Sequence, residues 1–154
     1  MPAVPLRNTH DRFGLVAQAL HWAMAGLIVV LVPLGVYMHE LPLSPRKLEL
    51  YGLHKSLGMT LLGLAVLRIL WRLMDPPPPP VAGAPAWQNR AAGAVHLALY
   101  GLMVAMPLSG WIMSSAANFP VSVFGLFTAP NLVGPDKGLE DLAKGVHFAL
   151  GLAL

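Results

Sequence analysis

Residues 16–38 read VAQALHWAMAGLIVVLVPLGVYM, a run with no Asp, Glu, Lys or Arg. As a helix at 1.5 Å per residue it extends about 35 Å, enough for the roughly 30 Å hydrocarbon core of a bilayer. Inside lipid the backbone must satisfy its own hydrogen bonds, which selects a helix for an isolated span. One residue is out of place in it. An imidazole at membrane depth is costly unless it has a partner, so His21 marks a functional position.

Three more apolar stretches follow, over residues 52–73, 91–116 and 139–154, and they carry His54, His96 and His147. The expected fold class is therefore all-α, a transmembrane four-helix bundle forming one domain over residues 1–154. Pro107 marks a kink in the third helix, compensated by its neighbours. The fourth stretch is still apolar at Leu154, and only ten residues remain from Gly145, too few to cross. The expectation is a truncated version of a longer chain. Five prolines at 76–80, within Asp75–Pro85, read as a stiff extended linker. Residues 118–136, with Phe119, Phe124 and Phe127, read as a re-entrant or interfacial loop capping the bundle. No internal repeat stands out.

Composition agrees with a membrane protein. Of 154 residues, 56% are hydrophobic and 11% charged, against about 25% charged in soluble domains. With no cysteine, disulfides, iron–sulfur clusters, thiolate-bound metal and covalently attached haem are excluded. The pI near 9.6 does not imply nucleic acid, because the basic residues flank apolar runs and form no basic block. The first apolar run is too long for a cleavable signal peptide and has no cleavage site after it. Arg7, Arg12, Arg68, Arg72 and Arg90 fall on one side of the membrane, and Arg46, Lys47, Lys55, Lys137 and Lys144 on the other. That balance leaves the positive-inside rule undecided. Five of the seven acids share the second side, which points to a cytoplasmic N-terminus.

Alternating helix direction sorts the four histidines into two layers. His21 and His96 fall on the N-terminal side, His54 and His147 on the opposite side, while His10 and His39 lie outside the spans. Two neutral imidazoles facing each other across a bundle can ligate a haem iron axially. One pair near each surface would make a transmembrane electron wire. Small residues one turn on from the histidines (Ala25 and Gly26, Gly58, Gly151) leave room for a flat macrocycle, or alternatively for close helix packing. Arg68 and Arg72 suit haem propionates, or interfacial anchoring beside Trp71. Lys55 suits a propionate or an anionic substrate, or simple snorkelling. The eight methionines share no spacing with the histidines and read as packing rather than ligands.

In combination and in order, certain stretches resemble the bacterial di-haem cytochrome b561 family, which includes a superoxide:ubiquinone oxidoreductase. They are RFGLVAQALHW ending at Trp22, LHKSLG around His54, LRILWRL before the prolines, AVHLALYGLMVAMPLSGW around His96 and KGVHFALG around His147. The resemblance implies that His54 and His147 ligate one haem b. It implies that His21 ligates a second, whose other ligand would lie beyond Leu154. His96 would neighbour a propionate or quinone, or substitute as that ligand. It further implies electron transfer through haem b to or from quinone, in an oxidoreductase of the superoxide oxidase type, with lysines and arginines of the outer side drawing in the anion. Two rival readings are a non-catalytic haem-b anchor subunit in a larger respiratory or photosynthetic complex, and a haem-free channel or scaffold.

Overall fold

The computed structural model describes residues 4–80 and 83–154. Its elements run α1 (Leu15–Glu40), α2 (Pro45–Met74), α3 (Ala86–Ala116), β1 (Val121–Val123), β2 (Phe127–Ala129) and α4 (Lys137–Ala153). The first three helices hold 26, 30 and 31 residues, or about 39–46 Å each. All three are long and apolar enough to cross a membrane. The fourth holds 17 residues, about 25 Å.

Two helices begin earlier than their apolar runs. The second starts at Pro45 rather than Gly52, where Ser44 accepts the Lys47 N–H at 3.2 Å and Pro45 occupies the first turn, a start that needs no apolar residue. The third starts at Ala86 rather than 91, its polar first turn (Gln88, Asn89, Arg90) lying ahead of the apolar run. Asp136 caps α4 by accepting the Leu139 N–H at 3.0 Å. Pro33 and Pro107 sit inside α1 and α3. Of the expected linker, Pro76–Pro80 has no regular structure; Val81 and Ala82 lie outside the described residues.

The helices pack in chain order, α1 on α2, α2 on α3 and α3 on α4. Met24 and Leu31 of α1 meet Leu61 and Ala65 of α2 in the main core, with Met103 and Val104 of α3 against it. Ala65 is fully buried, its methyl letting the helix backbones approach closely. Elsewhere the surface is apolar: Val29 is 71% exposed, Leu97 74% and Phe148 64%. An apolar exterior on this scale calls for lipid as its solvent.

The loop after α3 is not wholly irregular. Strands β1 and β2 form an antiparallel hairpin with Val121 opposite Ala129 and Val123 opposite Phe127. Phe124 and Gly125 at its tip take φ of 50° and 72°, and the Leu126 N–H donates to the Val123 carbonyl at 2.9 Å, a turn of primed type. Val121, Val123 and Ala129 pack on Met59 and Trp111, so the hairpin lies across one end of the bundle. Ser56 pins it there. Its hydroxyl lies 3.1 Å from the Ser122 carbonyl and accepts the Phe124 N–H at 3.0 Å.

The other end is closed by the N-terminal segment. Asn8 donates its backbone N–H to the Asp75 carboxylate and its side-chain amide to the Asp75 and Pro76 carbonyls. Its side-chain oxygen accepts the Gly14 N–H at 2.8 Å. A Cβ on Gly14 would stand 2.3 Å from the Arg7 carbonyl carbon, so this return of the chain onto itself requires glycine.

Candidate functional site

Two cavities lie at opposite ends of the bundle. The one under the hairpin encloses about 780 Å³ of atom-free space, part of it open to the outside, and His54, Lys55, Gly58, Met106, Gly110 and His147 contribute to its lining. Here α2 and α4 bring their histidine rings together in an edge-type arrangement, with ring centres 6.2 Å apart and planes inclined by 75°. Imidazole–metal bonds of roughly 2 Å, plus about 1 Å from each bonding nitrogen to its ring centre, sum to about 6 Å. The separation of the ring centres matches that sum, the span of one metal ion held by an inward-pointing nitrogen of each ring.

Each ring is seated on a glycine of a neighbouring helix. A Cβ on Gly110 of α3 would come within 2.9 Å of His147 Cε1, and one on Gly35 of α1 within 3.2 Å of His54 Cε1. Gly58 faces open space, as a position beside a flat cofactor requires. The Nδ1 of His147 lies 2.9 Å from the Met106 carbonyl and 3.0 Å from the Ser109 hydroxyl oxygen. A carbonyl only accepts, so Nδ1 carries the proton and Nε2 keeps a free lone pair, the tautomer a metal ligand needs. Among the described residues His54 Nδ1 is buried without a partner. The donor set, the separation and the open face at Gly58 fit a haem iron with two imidazole ligands.

Lys55 also lines this cavity. Its ammonium donates to the Phe119 carbonyl at 3.3 Å and stands 4.1 Å from the centre of the Phe119 ring. It is tethered to the capping loop rather than extended freely to the membrane surface.

The second cavity, about 750 Å³ on the same measure, gathers His21, His96, Arg68, Arg72, Trp71 and Tyr100 under the N-terminal segment. The spacing along the chain anticipated this grouping: His21 and His96 share one end, His54 and His147 the other. The His21 ring lies edge-on to Trp22, 5.2 Å between centres. Arg68 donates to the Tyr100 hydroxyl at 3.2 Å and to the Ala17 carbonyl at 3.3 Å, linking three helices. The Arg72 guanidinium lies 5.5 Å from the Tyr100 ring centre, a cation–π distance.

Some of the machinery was not visible in the sequence. Gly35, Gly110, Ser109 and the Met106 carbonyl acquire meaning only once α1 is known to face His54 and α3 to face His147. The closest sequence signal is the placement of Ser109 and Gly110 just after an intrahelical proline.

Long apolar helices with histidines paired from separate spans define a multi-pass membrane protein of the redox-carrier type. The sequence matches the family described as prokaryotic cytochrome b561 over residues 12–154, and the chain belongs to that family of haem-b electron-transfer proteins. It is 35% identical over 153 residues to cytochrome b561 homolog 2 of Escherichia coli K12, covering 93% of this chain and 77% of that one. It is 34% identical over 84 residues to cytochrome b561 homolog 1 of the same strain, covering 53% and 44%. It is 27% identical over 144 residues to the probable superoxide oxidase CybB of Yersinia pestis, covering 92% and 79%.

Proposed function

We propose that this chain is a single membrane domain that passes electrons between a donor at one face and a quinone at the other, with His54 and His147 as the residues that would hold one haem b. The observation that carries the reading is the 6.2 Å approach of these two rings from separate helices. Haem supplies reversible one-electron chemistry at its iron when bound, and the protein supplies ligation, spacing and exclusion of water.

The residues divide the work by cavity. His54 and His147 hold the first group, Gly58 leaves its face clear, and Lys55 offers a cation to a propionate or to an arriving anion. At the other end His21 ligates a second haem b, giving two in all. His96 stands beside it as second ligand or as neighbour to a propionate or quinone. Arg68 and Arg72 bind propionates, for which the planar guanidinium is suited. Ubiquinone or another quinone is the partner near this end, and the N-terminus is cytoplasmic in a bacterial inner membrane.

Superoxide as the donor, and thus oxidoreductase activity of that kind, is supported by the likeness to the probable superoxide oxidase of Yersinia pestis and by the position of Lys55 in the His54 cavity. If the chain is instead a relay subunit of a larger electron-transfer complex, it co-purifies stoichiometrically with a catalytic partner and does not itself reduce quinone with superoxide.

The test is a reduced-minus-oxidised spectrum of the purified protein with haem quantified per chain. His54→Ala and His147→Ala are each expected to remove the same haem, and His21→Ala a different one. A colourless preparation, or a haem retained in both His54→Ala and His147→Ala, overturns the reading.

A further inference from the structure

The two facing imidazoles are not equivalent, and the difference comes from one helix. His147 Nδ1 meets two acceptors on α3, the Met106 carbonyl at 2.9 Å and Ser109 Oγ at 3.0 Å. His54 Nδ1 is buried and meets none among the described residues. Ser109 is itself buried, 7% exposed, and its hydroxyl donates to that same Met106 carbonyl at 2.7 Å. With its proton directed there, the oxygen presents a lone pair to the His147 N–H. The serine is thereby set as an acceptor.

We infer that Ser109 is a positioning and tuning residue for His147, fixing the ring's tautomer and angle and raising its electron donation, so that the potential of the haem beneath the hairpin is set from α3. The inference rests on the ligand assignment proposed above.

The physical chain is short. An N–H shared between two acceptors leaves more electron density on the ring, and Nε2 becomes a stronger donor. A stronger donor favours ferric over ferrous iron and lowers the midpoint potential. His54, with no acceptor on its Nδ1, contributes no such bias. The Gly110 seat lets the His147 ring lie close against α3, where a Cβ would stand 3.1 Å from Nδ1, and so brings Nδ1 within reach of the serine.

The experiment is a redox titration of the purified cytochrome and of Ser109→Thr, Ser109→Cys and Ser109→Ala, with the low-spin ferric EPR signal recorded for each. Thr retains the hydroxyl, Cys is a weaker acceptor and Ala has none. The expected result is a midpoint potential that rises in the order Ser and Thr, then Cys, then Ala, in the His54- and His147-dependent haem alone. Its ferric EPR signal shifts in the same order, and the other haem is unmoved. If Ser109→Ala loses haem, Ser109→Cys against Ser109→Thr carries the comparison. Equal potentials across the series with haem in place overturn the inference and leave the ligand assignment standing. So does a Thr variant that behaves as Ala does, because packing rather than the hydroxyl then governs the site. A wild-type protein lacking any haem dependent on His54 and His147 defeats the ligand assignment itself.

Discussion

A glycine of a neighbouring helix lies against each ring, and at Gly110 the fit is the tighter of the two. Gly110 has no left-handed backbone requirement; what it provides is the absence of a methyl where His147 lies flat on α3. A Cβ there would approach Cε1 to 2.9 Å and Nδ1 to 3.1 Å, and a ring bonded to Met106 that also held the proposed haem could not yield without leaving one of them. Gly110→Ala is therefore expected to weaken retention of the hairpin-side haem about 10–100-fold, the usual effect of disturbing the groups that orient a ligand. The check is haem per chain after a detergent wash, with the His21-dependent haem as internal reference. Gly58→Ala tests the other side of the same space. The methyl meets no protein atom within 4 Å, so the helix should tolerate it or gain slightly, and any lost haem must come from a collision with the cofactor. A Gly58→Ala protein that is as stable as wild type and keeps its haem would show that Gly58 lies away from the macrocycle.

At the level of elements, the hairpin owes its place to Ser56. This side chain, 3% exposed, stands two residues after His54 and accepts the N–H of Phe124, a non-glycine residue at φ 50°. Ser56→Ala strands that part-buried N–H, at a cost of about 1 kcal/mol, the low end for an unpaired group because water can reach the hairpin tip. The expected outcome is a lower melting temperature in detergent, and limited proteolysis should cut first near Leu126. A protease-resistant hairpin in Ser56→Ala would show that Met59 and Trp111 hold it alone. The contrast with the helices explains what the sequence could convey. Apolar length and helix direction are local properties, so the four helices and the sorting of histidines to two ends could be read directly. The starts of α2 and α3 could not, because their polar first turns lie outside the apolar runs from which the spans were read. Nor could the hairpin, since three-residue strands carry no usable period. The seats at Gly35 and Gly110 and the serine at 109 depend on which helix faces which, and nothing local encodes that.

For the whole molecule, the consequential fact is that the two cavities lie at opposite ends and are closed by different pieces of chain. The N-terminal segment, clasped through Asn8 and Asp75, covers the His21 end; the hairpin covers the His54 end. Electrons exchanged at the two closures would enter and leave on different sides of the bilayer, so sidedness follows directly from topology. Three crossings separate Thr9 from Leu126, an odd number, and the two residues must emerge on opposite faces. The chain has no cysteine, so single probes can be introduced without removing anything. Thr9 is exposed at the N-terminal closure and Leu126, 82% exposed, stands at the hairpin tip. In inside-out membrane vesicles an impermeant maleimide is expected to label Thr9→Cys and not Leu126→Cys, with the pattern reversed in right-side-out spheroplasts. That outcome puts the His21 cavity on the cytoplasmic side, as proposed above. The opposite outcome inverts the orientation but preserves the separation. Labelling of both positions from one side would mean that one of the three long helices does not cross, and the two cavities could not then serve opposite faces of the membrane.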